Sequence, residues 1–244
     1  MLGQGYFPEG LYAAPTDEAL VSDLLALKAM GFNAIRKHMK VDTRRWFWHA
    51  DRLGFLVWQD IPQQITDFGR FQEEVRTNWA AHKGSPALVQ WQLYNEGWGE
   101  GTPQQSNDTV ALLRSLEPRE GTPGGRLVND ASGGRGLGCG AGWVDPNACV
   151  AAHGDDSYCI AVFWTGGCGD GSVVDNHHYP EPRVPYNFSA QAAAGKPFVL
   201  GEYGGYDLAV ANHSWGICDS AAVADPALAS WRGHDASTVQ RRWL

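Results

Sequence analysis

Short apolar runs that end abruptly in polar side chains are the feature that most restricts how this chain can fold. They recur as FNAIRKH at 32–38, FLVWQD at 55–60, LVQWQLYNE at 88–96, RLVND at 126–130, SVVDNHHY at 172–179 and KPFVLGE at 196–202. Each is short and bounded by glycine, proline or charge, which reads as a buried strand rather than a helix. Between the first runs lie segments with apolar residues at helical spacing. Leu20, Val21, Leu24 and Leu27 follow a capping Thr16, and Trp46, Ala50 and Leu53 follow Thr43. Phe71, Val75 and Trp79 mark a third helix over about 69–83, and a fourth is expected over about 105–116. Alternating strand and helix predicts an α/β fold with a parallel sheet. The polar residues cluster at the strands' C-terminal ends, where a (β/α)8 TIM barrel builds its active site. A doubly wound sheet is the alternative, but no glycine-rich phosphate loop opens a helix here.

Composition narrows the partners. A net charge of -8 argues against nucleic acid or an anionic membrane as the main partner. No apolar run approaches the roughly 20 residues of a membrane span. The opening MLGQGYFPEG carries no signal-peptide pattern. Residues 132–172, rich in glycine and cysteine, break the rhythm and read as an insertion in a single domain covering 1–244. Cys139, Cys149, Cys159 and Cys168 lie there without a C-x-x-C pair, so two disulfides are expected rather than zinc, with the pairing open. Together with sequons at Asn107, Asn187 and Asn212, they point to a secretory route. The sequence does not fix an oligomeric state.

Two of the strands end in a glutamate: Glu96 after Asn95, and Glu202 after Gly201. A glutamate after a strand is often just a helix-start charge on a favourable dipole. Two of them at the same end of one sheet match the needs of glycoside hydrolysis, in which one carboxyl donates a proton and the other attacks the anomeric carbon. Arg36 is expected to keep the nucleophile ionised. Asn95 is suited to a sugar 2-hydroxyl, and His38, Asp60, His178 and Tyr179 to other hydroxyls. Successive strand residues point to opposite faces, so only one of His177 and His178 can face the site; His178 or Tyr179 is favoured here. Most of the 11 tryptophans should pack the core, with Trp58 and Trp98 the candidates for stacking on a sugar ring. The chemistry calls for no metal and no organic cofactor.

The stretches GFNAIRKH (31–38), LGFLVWQDIP (53–62), VQWQLYNEGWG (89–99), VVDNHHYPEP (173–182) and KPFVLGEYGG (196–205) resemble, in order, the catalytic barrel of glycoside hydrolase family 2, the β-galactosidase, β-glucuronidase and β-mannosidase relatives. The resemblance implies that Glu96 is the acid/base after the fourth barrel strand and Glu202 the nucleophile after the seventh. Arg36, Asn95 and Tyr179 match positions that orient the nucleophile or substrate. By this alignment the chain supplies strands two to seven. The first strand is expected before QGYF and the eighth after Leu244, so the chain reads as part of a longer β-glycosidase acting with retention. The insertion matches nothing in the family. The rival readings are a non-catalytic carbohydrate-binding remnant and another retaining barrel glycosidase of cellulase type.

Overall fold

In a computed structural model of the chain, residues 1–3, 5–7, 9–62, 67–96, 102–133, 171–177, 182 and 197–204 are described. The chain divides into two compact units: Met1–His177 with Val184–Glu202, and His178–Arg183 with Tyr203–Leu244. All the elements below belong to the first. The cysteine-rich segment, the expected helix near 188–194 and the tail lie outside the described residues.

Local sequence explains most of the helices. In α1 (Asp17–Ala29) the Thr16 side chain accepts the amide of Ala19, and Leu20, Leu24 and Leu27 are buried along one face. In α2 (Arg44–Leu53) Thr43 caps the start, and Gly54 ends the helix at φ 65°, a left-handed turn that favours glycine. Asp67 caps α3 (Phe68–His82). Thr102 and Gln105 form a reciprocal capping box for α4 (Pro103–Leu116), which has a proline in its first turn.

Five strands form one parallel sheet in chain order: β1 (Leu2–Gly3), β2 (Ala34–Lys37), β3 (Leu56–Asp60), β4 (Leu88–Asn95) and β5 (Leu127–Ser132). Two more, β6 (Val174–His177) and β7 (Phe198–Glu202), pair in parallel with each other. The expectation that the first strand is missing is corrected by β1. Extended backbone at the chain start satisfies the open edge of β2, with the Arg36 amide donating to Met1 O (2.9 Å) and the His38 amide to Gly3 O (3.0 Å). The start of the run expected at Phe32 also moves along the chain. Phe32 still belongs to the turn that closes α1, where its amide donates to Leu27 O, and the ladder begins at Ala34.

The core includes Leu24, Phe47, Phe55, Ile61, Val75, Trp91, Leu93, Tyr94 and Leu113, which the helices bury against the sheet. Full burial of each large apolar side chain is worth about 1.5–3 kcal/mol. The strands also bury polar groups: Gln59, Asp60, Gln90, Gln92 and Asn129 are buried, and the Asn129 amide donates to Gln92 Oε1 at 2.8 Å. This polar interior is where the strand ends converge. In a flat sheet, five spacings of about 4.8 Å would separate β2 from β7 by roughly 24 Å. Yet Arg36 on β2 bonds Glu202 on β7 at 2.8 Å. The C-terminal strand ends of the two sheets therefore meet around Arg36.

Candidate active site

Arg36 is the hub. It is 4% exposed, and each of its five N–H groups has an acceptor in reach. Nε and one Nη2 hydrogen grip Asp60 bidentately, at 3.0 and 2.8 Å. The other Nη2 hydrogen reaches Asn95 Oδ1 at 2.8 Å. Nη1 donates to Glu202 Oε1 at 2.8 Å and lies 3.1 Å from His177 Nε2. One guanidinium thus ties together residues of β2, β3, β4, β6 and β7.

Burial works against ionised Asp60, but the charge of Arg36 and hydrogen bonds from His38 and Arg36 outweigh it and hold the carboxyl below its usual range. Burial also works against Arg36 itself, and Asp60, Asp175 and Glu202 more than compensate. His38 Nδ1 sits 2.8 Å from Asp60 Oδ2 and 4.0 Å from Glu202 Oε1.

Glu96 ends β4 at φ 53°, a left-handed conformation that costs a non-glycine residue free energy and is concentrated at functional sites. Its amide donates to Ser132 O at 2.7 Å, which fixes the turn against β5. His177 Nδ1 is 2.8 Å from Glu96 Oε1 and 3.4 Å from Glu202 Oε2. Carboxylate oxygens of Glu96 and Glu202 come within 4.8 Å of each other, with a nitrogen of His177 in the same radius. Glu202 is 7% exposed, and the Glu96 side chain 21%.

Such a triad has the spacing of a cation site, but its surroundings oppose one. The Arg36 guanidinium already donates to Glu202 and lies against His177, and His177 Nδ1 already pairs with Glu96. The three residues read as a hydrogen-bonded cluster.

Of the residues expected from sequence, Arg36, His38, Asp60, Asn95, Glu96 and Glu202 come together. Trp58 is half-buried and in register with Arg36 across the ladder, and it makes no hydrogen bond to the cluster among the described residues. Trp98, His178 and Tyr179 lie outside the described residues. Sequence reasoning missed three groups: His177, Ser132 and Asp175. Ser132 Oγ is 2.6 Å from His177 Nε2 and 2.7 Å from Asp175 Oδ2. Burial pushes the Asp175 carboxyl up to about 6. The alternation Asp175-x-His177 was the available signal, since residues two apart on a strand share a face.

No family model matches the chain, and no curated protein matches it. Solved structures do. A family 2 β-galacturonidase from Eisenbergiella tayi, bound to galacturonate, is 18% identical over 95% of this chain and 37% of its own, with a TM-score of 0.61. A Bacteroides uniformis β-glucuronidase is 19% identical over 84% of this chain and 24% of its own, with a TM-score of 0.54. Bacteroides uniformis β-glucuronidase 2, covalently bound to cyclophellitol-6-carboxylate aziridine, aligns at 18% identity and a TM-score of 0.53. The chain spans well under half the length of these structures. At this level of identity the likeness establishes the fold: a parallel α/β architecture like that of glycoside hydrolase family 2 enzymes.

Proposed function

We propose that this chain is a catalytic (β/α)8 barrel segment of a β-glycosidase that hydrolyses O-glycosidic bonds with retention. One observation carries the reading. Two strand-end carboxylates lie within 4.8 Å, one held by a guanidinium and the other by an imidazole. Carboxyl groups this close favour the retaining arrangement, in which the second carboxylate itself attacks, over the inverting one, which holds a water between the pair.

In this reading Glu202, paired with Arg36, attacks the anomeric carbon while Glu96 protonates the leaving oxygen. Glu96 then takes a proton from the water that releases the sugar. Asn95, oriented by Arg36, bonds the 2-hydroxyl. His38 and Asp60 support the nucleophile's side of the site. Trp58, Trp98, His178 and Tyr179 are assigned to the sugar surface. The two-carboxylate route requires no cofactor. The substrates named for the similar structures make β-linked uronic acids the first class to try.

The test is a panel of nitrophenyl β-glycosides that includes glucuronide and galacturonide. Glu202→Gln should lower kcat/KM by about 10³-fold or more, and the first-formed product should keep the β configuration by NMR. Wild-type turnover in Glu202→Gln, or an α first product, would overturn the assignment.

A further inference from the structure

Behind Glu96 runs an unbroken line of contacts from the interior: Asp175 Oδ2 to Ser132 Oγ at 2.7 Å, Ser132 Oγ to His177 Nε2 at 2.6 Å, and His177 Nδ1 to Glu96 Oε1 at 2.8 Å. A serine has one hydrogen, so it can donate to Asp175 or to His177, but not to both. Arg36 decides between them. A guanidinium only donates, and Arg36 Nη1 lies 3.1 Å from the same Nε2, with its other N–H groups directed at acceptors. An Nε2–H would point a donor at a donor. Nε2 therefore carries the lone pair, and the ring proton sits on Nδ1, between Glu96 and Glu202. Ser132, at 2.6 Å against 3.1 Å for Arg36, is the closer donor to that lone pair, and a hydrogen it gives there leaves the one between Ser132 and Asp175 to come from Asp175.

A second observation agrees. Asp175 is fully buried, and its Oδ1 has no hydrogen-bond partner among the described residues. An ionised carboxylate left so would be costly, whereas the carbonyl oxygen of a protonated carboxyl tolerates it better.

The geometry points to Asp175 and Ser132 as positioning residues: protonated Asp175 donates to Ser132, Ser132 donates to His177 Nε2, and, with Arg36 opposing a donor there, His177 is held as the Nδ1–H tautomer that donates to Glu96. This deepens the glycosidase reading and rests on it for its catalytic meaning. The Nδ1–H occupies Oε1, so the transferable proton of Glu96 sits on Oε2. When that proton leaves, the new carboxylate already holds a charge-assisted hydrogen bond. The charged groups that face Asp175 are Arg36 on β2, Asp60 on β3 and His177 on its own strand. Ionisation of Asp175 would turn the Ser132 hydrogen away from His177 and set two lone pairs against each other.

The experiment separates this chain from the reaction. Long-range ¹H–¹⁵N NMR reports which ring nitrogen of His177 carries hydrogen, with or without activity. The wild type at pH 5 should show Nδ1–H. Asp175→Asn should keep it at pH 5 and pH 8, because an amide N–H donates to Ser132 as the carboxyl does. Ser132→Ala should leave the proton on Nδ1, because Arg36 still opposes a donor at Nε2, and should shift the Nε2 resonance as the serine donor is lost. In turnover, Ser132→Ala should lower kcat about tenfold or more on glycosides with poor leaving groups and spare activated nitrophenyl glycosides, with KM unchanged. An Nε2–H in the wild type would overturn the inference. So would loss of the tautomer in Asp175→Asn, or equal losses on both leaving-group classes. If no glycoside is hydrolysed but the NMR pattern holds, the chain stands and the glycosidase reading falls.

Discussion

Arg36 spends every donor it has, which makes its replacement severe. Arg36→Lys keeps the charge but loses the planar fork. Asp60, Asn95, Glu202 and His177 would then compete for one ammonium. We expect a loss of about 3–5 kcal/mol in stability by denaturant titration, the range for breaking a buried ion pair, together with loss of turnover. Two glycines are as constrained for a different reason. A Cβ on Gly201 would lie 2.2 Å from Asp175 Oδ1, and one on Gly133, at φ 55°, would lie 2.3 Å from the His177 ring. Gly201→Ala should cost about 1–3 kcal/mol by the same titration and disturb the Asp175 side chain first. Their smallness makes room for the chain behind Glu96.

Among the elements, the helices are set by their ends. Thr102→Ala removes one half of the capping box of α4 and should cost about 1 kcal/mol, seen as a lower unfolding midpoint. Such local devices were legible in the sequence: Thr16 and Thr43 cap as expected, and Gly31 and Gly54 follow the helix ends. The strand-end residues Arg36, Asp60, Asn95, Glu96 and Glu202 were legible too, because strand termination depends on neighbours in sequence. The chain behind Glu96 was not. RLVND was expected to end at residue 130, but β5 runs on to Ser132, whose serine resembles any loop polar residue. Its partner His177 lies 45 residues away, and His177 lies 81 residues from Glu96. Only the packing of the two sheets brings them together, and no local pattern encodes that distance.

For the whole molecule, two buried aspartates pull the pH dependence of stability in opposite directions. Asp60 has a depressed folded value, so its contribution is present above about pH 4 and is lost as pH falls through that value. Asp175 has a raised one, so the folded state binds its proton more tightly than the unfolded chain does. Its contribution is complete below about pH 4 and is lost as pH rises through about 6. A shift from 3.8 to about 6 corresponds to about 3 kcal/mol. Denaturation midpoints should therefore fall between pH 4 and 6 in the wild type, and Asp175→Asn should flatten that window. An unchanged slope in the variant would count against a protonated Asp175.

The reach of Arg36 also sets an order of assembly. Its partners stand from 24 to 166 residues along the chain. Residues 1–133 can form α1 to α4 and β1 to β5 before β6 and β7 have been synthesised, and such an intermediate has helices, a core and no Glu202. Its arginine can neutralise against Asp60 alone, so the pocket stays wet. Closing contacts at large sequence separation is slow, because the chain entropy is lost before the contact repays it. The site is thus the last of the described elements to be built, and helical content recovers in refolding before any ligand that needs Glu202 can bind.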